Sequence, residues 1–213
     1  MLYSQSDTHP RRRFGLRRMT YPDKGSKKPR NFLYFILIFL ITFVLEKLNL
    51  RMEYKIGTDA RCAVIGYGSW ATAIVGLLAA NGRRVGWYVR NPEVLESLCS
   101  DGRNPRYLND LEFDRNSIAP SSDLDAVVRD ADIVILATPS AYLKDFLAPL
   151  TVPLRDKFVV SAIKGIVPGD YQTVVEYIHD HYGLSYRQIG LVTGPSHAEE
   201  VLSLIHISEP TRL

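Results

Sequence analysis

The sequence predicts an α/β fold built as a doubly wound parallel sheet, and three observations predict it. From residue 61 to residue 201, short β-rich runs alternate with segments of helical period, the rhythm of βαβ units. One of those runs, "ADIVILATPS" (131–140), is apolar without alternation, as a strand buried on both faces is. Another, "CAVIGYGSWATAIVGLLAANG" (62–82), breaks at Gly66 and Gly68 and resumes at helical spacing, which marks a tight strand-to-helix corner.

Taken in order, Arg61–Gly66 is the first strand. Ser69–Ala80 is a helix with Ile74, Leu77 and Leu78 on one stripe and Asn81 and Gly82 as its stop. "RRVGWYV" (83–89) is the second strand, Pro92–Cys99 a helix, and "SDGRNPRYLNDLEFDRN" (100–116) a polar loop before a weak third strand, "SIAPS" (117–121). "SDLDAVVRDA" (122–131) is a capped helix leading into the long apolar strand, and residues 157–163 form the fifth strand. Asp170 is positioned to cap the helix "YQTVVEYIHDHYG", with Gly183 as its stop. "QIGLVTG" (188–194) is the sixth strand, and "PSHAEEV" (195–201) opens a helix: Ser196 and Glu199 have capping-box spacing, and Glu199 and Glu200 suit the positive end of its dipole. Six strands in this rhythm predict the order 3-2-1-4-5-6.

Composition narrows the function classes. At 213 residues and 46% hydrophobic, the chain buries a real core. Residues 1–30 hold nine Lys or Arg against Asp7 and Asp23, a net +7, so with +3 for the whole chain the remainder carries −4. That body is mildly acidic and is not built for nucleic acid. Cys62 and Cys99 lack CxxC or His-linked spacing and read as free thiols of a reducing compartment, here the cytoplasm. His179 and His181 are two apart near a helix end, point to different faces and read as solvated rather than as metal ligands.

Both ends read differently from the body. "NFLYFILIFLITFVLEKL" (31–48) follows the basic segment, but its uninterrupted apolar core, Phe32–Leu45, is 14 residues, short of the roughly 20 that span a bilayer as a helix. Met52 then opens a segment that places the glycine corner where a dinucleotide-binding protein commonly has its first strand. Residues 1–51 are therefore expected to be upstream sequence translated in frame, the other readings being a genuine membrane anchor or an extension. "LSLIHISEPTR" (202–212) resembles the translation of a transposase adapter used to prepare sequencing libraries, against a natural amphipathic segment closed by a Pro turn. The expected organisation is 1–51 extension, 52–201 dinucleotide-binding domain and 202–213 adapter-derived tail.

A dinucleotide pyrophosphate needs main-chain N–H groups and a helix dipole brought close, so the turn that holds it must lack side chains. Gly66 permits the tight turn, Gly68 lets the chain approach the phosphates, and Ala71 stands for the third glycine where helix meets strand. The other reading is a tight turn in an unrelated α/β sheet. At the end of the second strand, where an acidic residue would bind the ribose 2′-hydroxyl, stands Arg90, a cation able to pair with a 2′-phosphate. NADPH is therefore expected to be accepted alongside NADH; the other reading of Arg90 is a solvated arginine beside an unselective pocket.

"GYGSWATAI" (66–74), "ATPS" (137–140), "SAIKGI" (161–166) and "GPSHAEE" (194–200), in that order and spacing, resemble the bacterial NAD(P)-dependent glycerol-3-phosphate dehydrogenase family over about residues 60–201. In that family a Rossmann domain binds the cofactor, and an all-helical second domain, expected to be missing from this chain, completes a cleft for dihydroxyacetone phosphate or sn-glycerol 3-phosphate. The resemblance implies that Ser69 and Trp70 line the cofactor loop with Arg90 at the adenosine end. It also implies that Lys164 reaches cofactor and substrate, Gly194 and Ser196 the substrate, and Ala198 the cofactor. Tyr67 stands where alanine or glycine is commoner, and His197 replaces a frequent aromatic. Ligands of open α/β sheets bind at the carboxyl ends of the strands, where Pro139, Lys164 and Gly194 fall, and Pro139 joins the cofactor set on that ground. Lys164 also reads as an exposed loop lysine, and Ser196 serves as cap and ligand compatibly.

By the same resemblance the reaction is the reversible reduction of dihydroxyacetone phosphate for glycerophospholipid synthesis. Its general acid is a lysine of the second domain, so no catalytic residue is expected in this chain, which is expected to bind NADPH or NADH with negligible turnover. The expected partners are a phosphorylated small molecule, no nucleic acid, no metal, and a membrane only if residues 31–50 are genuine; a homodimer of the full-length enzyme is left open. Two other readings stand beside this one. They are a two-domain reductase of hydroxyacids or ketol-acids, which "GPSHAEE" argues against, and a nonenzymatic NAD(P)H-binding module.

Overall fold

The computed structural model describes residues 59–192. Their main sheet has six parallel strands: β1 (Cys62–Ile65), β2 (Val85–Tyr88), β3 (Ile118–Ser121), β4 (Ile133–Leu136), β5 (Phe158–Ser161) and, after a two-stranded hairpin, β8 (Ile189–Leu191). The order is β3-β2-β1-β4-β5-β8, as the sequence rhythm predicts. Strand β4 is buried at all four positions, which its unalternating apolar run requires of a central strand covered on both faces. Pro120 sits in β3, an edge strand, where a residue without an N–H is tolerated.

Helices cover both faces and divide the core in two. On one face α1 (Ser69–Ala80) and α2 (Pro92–Ser100) pack with Val64, Trp87 and Ile135. On the other, α3 (Leu124–Arg129), α4 (Leu143–Leu147) and α5 (Val174–Tyr182) pack with Ile65, Tyr88 and Leu136. The alternation of neighbours such as Val64 and Ile65 between the two cores is the period-2 geometry of a strand. Ala71 to Ala79 are buried without exception, so α1 buries all its sides rather than the single stripe that Ile74, Leu77 and Leu78 suggest.

Three elements depart from the sequence expectation. Between β4 and β5 the chain turns through a 3₁₀ segment, Ser140–Tyr142, into the five-residue α4, too short to show a helical period. After β5 it forms an antiparallel pair, β6 (Ile166–Val167) with β7 (Gln172–Thr173). That hairpin delays α5, so Asp170 is not its cap. Thr173 is, in a reciprocal capping box with Glu176 that satisfies two otherwise orphaned donors, while Asp170 instead pairs with Lys144 at 2.5 Å. Gly183 ends α5 in the left-handed conformation at φ 65°, as expected. Cys99 falls inside α2 and is exposed, and Cys62 is buried; both are free. His179 and His181 are engaged rather than simply solvated: each Nδ1 meets a main-chain oxygen, Leu184 at 2.6 Å and Tyr177 at 3.1 Å, and each ring stacks on a tyrosine. Residues 31–48, Met52 and 202–212 lie outside the described residues. No helix among the described residues is long and apolar enough to cross a membrane.

The start of the sheet is tied by one carboxylate. Asp132, just before β4, accepts the Arg61 main-chain N–H at 2.8 Å, and this bond, aided by the Arg61 guanidinium, holds its carboxyl below the ordinary aspartate value. Asp125 and Glu176 are lowered likewise, first by hydrogen bonds from the Thr151 hydroxyl and the Thr173 main chain. A carboxylate whose value is depressed by folding contributes stability that is complete above the unfolded value, about 4, and is lost as pH falls through the folded value. Asp132→Asn is therefore expected to give a shallower decline of the unfolding midpoint below about pH 4, read by thermal denaturation across pH; an unchanged acid limb would contradict the assignment.

Candidate functional site

The chain reverses its winding direction between β1 and β4: it proceeds outward from β1 to β3, then crosses back to lay β4 on the other side of β1. The crevice at the carboxyl ends of those two strands is where open α/β sheets bind ligands, and the glycine corner stands there. Gly66 has φ 122°, and a Cβ on it would collide with the Ala137 carbonyl beyond the end of β4. Its side-chain-free backbone is therefore needed for the tight packing of the two strand ends. Gly68 is different. Its φ of −71° suits any residue, and a Cβ there would meet nothing within 4 Å, so the space in front of it is open.

That space faces the start of α1. Gly68 is the N-cap, no side chain caps the helix, and the first turn carries no acidic residue. By contrast α2, α3 and α5 are each capped by a side chain, of Asn91, Asp123 and Thr173, and each has an acid in the first turn. The leading N–H groups of α1 are left without intrahelical acceptors, and an anion there would be favoured by the helix dipole. An open cradle with unused donors fits a nucleotide pyrophosphate. Ser69 and Trp70 are half-buried at this turn and Ala71 is fully buried beneath it.

The corner is braced by residues that no sequence pattern announces. The Trp87 indole N–H donates to the Gly66 carbonyl at 2.7 Å. Asn104, fully buried, donates through Nδ2 to the Tyr67 carbonyl and to Thr72 Oγ1, both at 2.9 Å, while its Oδ1 accepts the Arg106 and Tyr107 main-chain N–H groups at 3.1 and 3.3 Å. The Thr72 hydroxyl donates on to the Gly68 carbonyl at 2.9 Å. One amide thus clamps the loop after α2 onto the corner with its hydrogen-bonding capacity filled. The "NPR" of that loop hints at a turn, but nothing in it says what the side chain reaches.

The remaining candidates ring the same edge of the sheet. Pro139 is exposed and opens the 3₁₀ turn after β4. Lys164, exposed beyond β5, makes no hydrogen bond or ion pair among the described residues, whereas Lys157 donates to the Arg129 and Ala131 carbonyls and Lys144 is paired with Asp170. The loops carrying Pro139 and Lys164 adjoin: a Cβ on Gly165, at φ 99°, would lie 3.4 Å from Ser140 Oγ. Arg90, exposed past the end of β2, lies over the Phe146 ring at 4.4 Å. Burial raises the neighbouring Tyr88 phenol above its ordinary value, and the Arg90 charge pulls it back. Gly194, Ser196 and Ala198 lie outside the described residues. Among the described residues there is no cluster of His, Cys, Asp or Glu able to hold a metal.

A six-stranded, doubly wound parallel sheet with an open glycine corner at its switch point defines a Rossmann dinucleotide-binding domain. The sequence profile described as "NAD-dependent glycerol-3-phosphate dehydrogenase N-terminus" matches residues 61–207, and the chain belongs to that NAD(P)-dependent oxidoreductase family. It is 38% identical over 139 residues to a glycerol-3-phosphate dehydrogenase, NAD(P)+, of Ectopseudomonas mendocina (strain ymp), covering 65% of this chain and 40% of that protein. It is 39% identical over 154 residues to glycerol-3-phosphate dehydrogenase 2, NAD(P)+, of Salinibacter ruber (strain DSM 13855 / M31), covering 70% and 43%. The chain thus spans about two fifths of the length of these relatives. The crystal structure of glycerol-3-phosphate dehydrogenase from Coxiella burnetii shares the fold at a TM-score of 0.59 and 24% identity, over 68% of this chain and 43% of that one. The Plasmodium falciparum enzyme does so at 0.59 and 24%, over 75% and 45%.

Removing the clamp tests its role. Asn104→Ala is expected to cost about 1–3 kcal/mol, because the Tyr67 carbonyl loses its buried partner, and to speed hydrogen exchange at Arg106 and Tyr107. Urea denaturation and exchange measurements check both, and an unchanged stability would show the clamp to be idle.

Proposed function

We propose that the main chain at Gly68–Ala71 grips the pyrophosphate of NADPH or NADH, and that the full-length protein reduces dihydroxyacetone phosphate reversibly to sn-glycerol 3-phosphate, the backbone of glycerophospholipids. The observation that carries the nucleotide assignment is the open face of Gly68 beside an uncapped α1 whose first turn lacks acids. Family membership supports the reaction.

In this reading Ser69 and Trp70 line the cofactor loop, Ala71 lets α1 pack closely under it, and Pro139 borders it from β4. Arg90 lies at the adenosine end, where a guanidinium pairs with a 2′-phosphate. Lys164, uncommitted to any described protein group, supplies positive charge towards the cofactor and the phosphorylated substrate. Gly194 and Ser196 are assigned to the substrate and Ala198 to the cofactor through the family motif alone. The bound cofactor supplies a hydride from nicotinamide C4 to the ketone carbon. In this reading the general acid and much of the substrate-phosphate grip belong to a second, helical domain of the family, outside the part of the relatives that this chain spans. The working compartment in this reading is the cytoplasm.

Two glycine substitutions separate ligand binding from folding. Gly68→Val fills open space at a permissive φ and is expected to change stability by less than about 1 kcal/mol while weakening NADH and NADPH binding at least about tenfold, since bulk stands where the phosphates must approach. Gly66→Ala is expected to cost about 2 kcal/mol or more through its positive φ and the Ala137 collision. Nucleotide-fluorescence titration with thermal denaturation reads both. Undiminished binding by Gly68→Val would remove the assignment.

A further inference from the structure

We propose that Phe146 is the positioning residue for nucleotide specificity, its ring holding the Arg90 guanidinium ready for a phosphomonoester on the adenosine ribose. The inference rests on the placing of Arg90 at the adenosine end given above, and goes beyond it by naming what orients that side chain.

The guanidinium carbon of Arg90 is 4.4 Å from the Phe146 ring centroid, well inside the range of a cation–π contact. Arg90 is exposed nonetheless, and none of its N–H donors meets an acceptor among the described residues. One side of the group is occupied by the ring, and its whole donor set is left for a ligand. A free arginine side chain gives up much rotamer entropy when fixed, so a surface that restrains it beforehand strengthens whatever it then binds.

Phe146 is itself firmly placed. It is 5% exposed in the core of the α3–α4–α5 face, and its ring lies 6.0 Å from those of both Tyr67 and Tyr88. Tyr67 stands inside the glycine corner and Tyr88 ends β2, so a single ring on α4 touches the corner, the end of β2 and the arginine. A planar, always-charged guanidinium so held suits bidentate pairing with the oxygens of a phosphate more than with a ribose hydroxyl. The contact therefore favours NADPH over NADH.

The test is fluorescence titration of the whole 213-residue chain with NADPH and NADH, for the wild type, Arg90→Ala, Phe146→Leu, their combination, and a chain carrying pentafluorophenylalanine at position 146. The fluorinated ring keeps the packing but reverses the charge of the face, so it decides the matter alone if Phe146→Leu does not fold. Both ring changes are expected to weaken NADPH about three- to tenfold and NADH less than about twofold, and Phe146→Leu should add nothing once Arg90 is removed. If Arg90→Ala lowers the preference for NADPH but neither ring change does, the positioning role is overturned and Arg90 keeps its place. If Arg90→Ala leaves the ratio of the two affinities unchanged, Arg90 is not at the adenosine end, and the role of Phe146 falls with it.

Discussion

The architecture depends on main chain packed against main chain at one point, where Gly66 closes on the Ala137 carbonyl. That contact joins the ends of β1 and β4, the two strands between which the sheet changes direction. Because no side chain separates them, the chain turns sharply enough for α1 to start directly over the crevice. Two residues later the requirement inverts: Gly68 presses on nothing, and its missing side chain leaves room in front of the helix. One glycine is fixed by the protein's own packing and the other leaves space for something outside it.

Such a bend needs support, since a helix end stripped of its cap is weaker by about 1 kcal/mol than one with a side-chain partner. Helices α2, α3 and α5 have their side-chain caps, so the bare start of α1, shared among the described α-helices with the five-residue α4, is not a habit of the sequence. Compensation comes from the carbonyl side of the bend. Trp87 takes the Gly66 oxygen, Asn104 the Tyr67 oxygen and Thr72 the Gly68 oxygen. With three successive carbonyls occupied from behind, the N–H groups at the front remain available. The bend is held rigid while its donors are kept free, which lowers the cost of ordering it around a ligand.

Much of this was legible in the sequence because it depends on local signals. The apolar run of β4, the glycines of the corner, Gly183 at the end of α5 and the six-strand rhythm each follow from periodicity or from the backbone freedom of one residue. What escaped were features set by contacts between distant segments. The five residues of α4 cover little more than one turn, too few to display a period. The β6–β7 hairpin has two residues in each strand, and its presence moved the cap of α5 from Asp170 to Thr173. Asn104 and Phe146 reach the corner and Arg90 across 37 and 56 positions of sequence, and no neighbour in the chain records that. The ligand roles of Gly194, Ser196 and Ala198 rest on family resemblance, with the strand-end position of Gly194 beside it, and all three lie outside the described residues.

The account turns on whether bare main chain at the start of α1 receives the diphosphate. Backbone amide NMR of the isotopically labelled chain during NADH titration tests this most directly. The signals of Gly68, Ser69, Trp70 and Ala71 should shift furthest and saturate together with the binding isotherm, as donors newly engaged by an anion do. Saturable binding that leaves those four amides in place while moving signals elsewhere would contradict it.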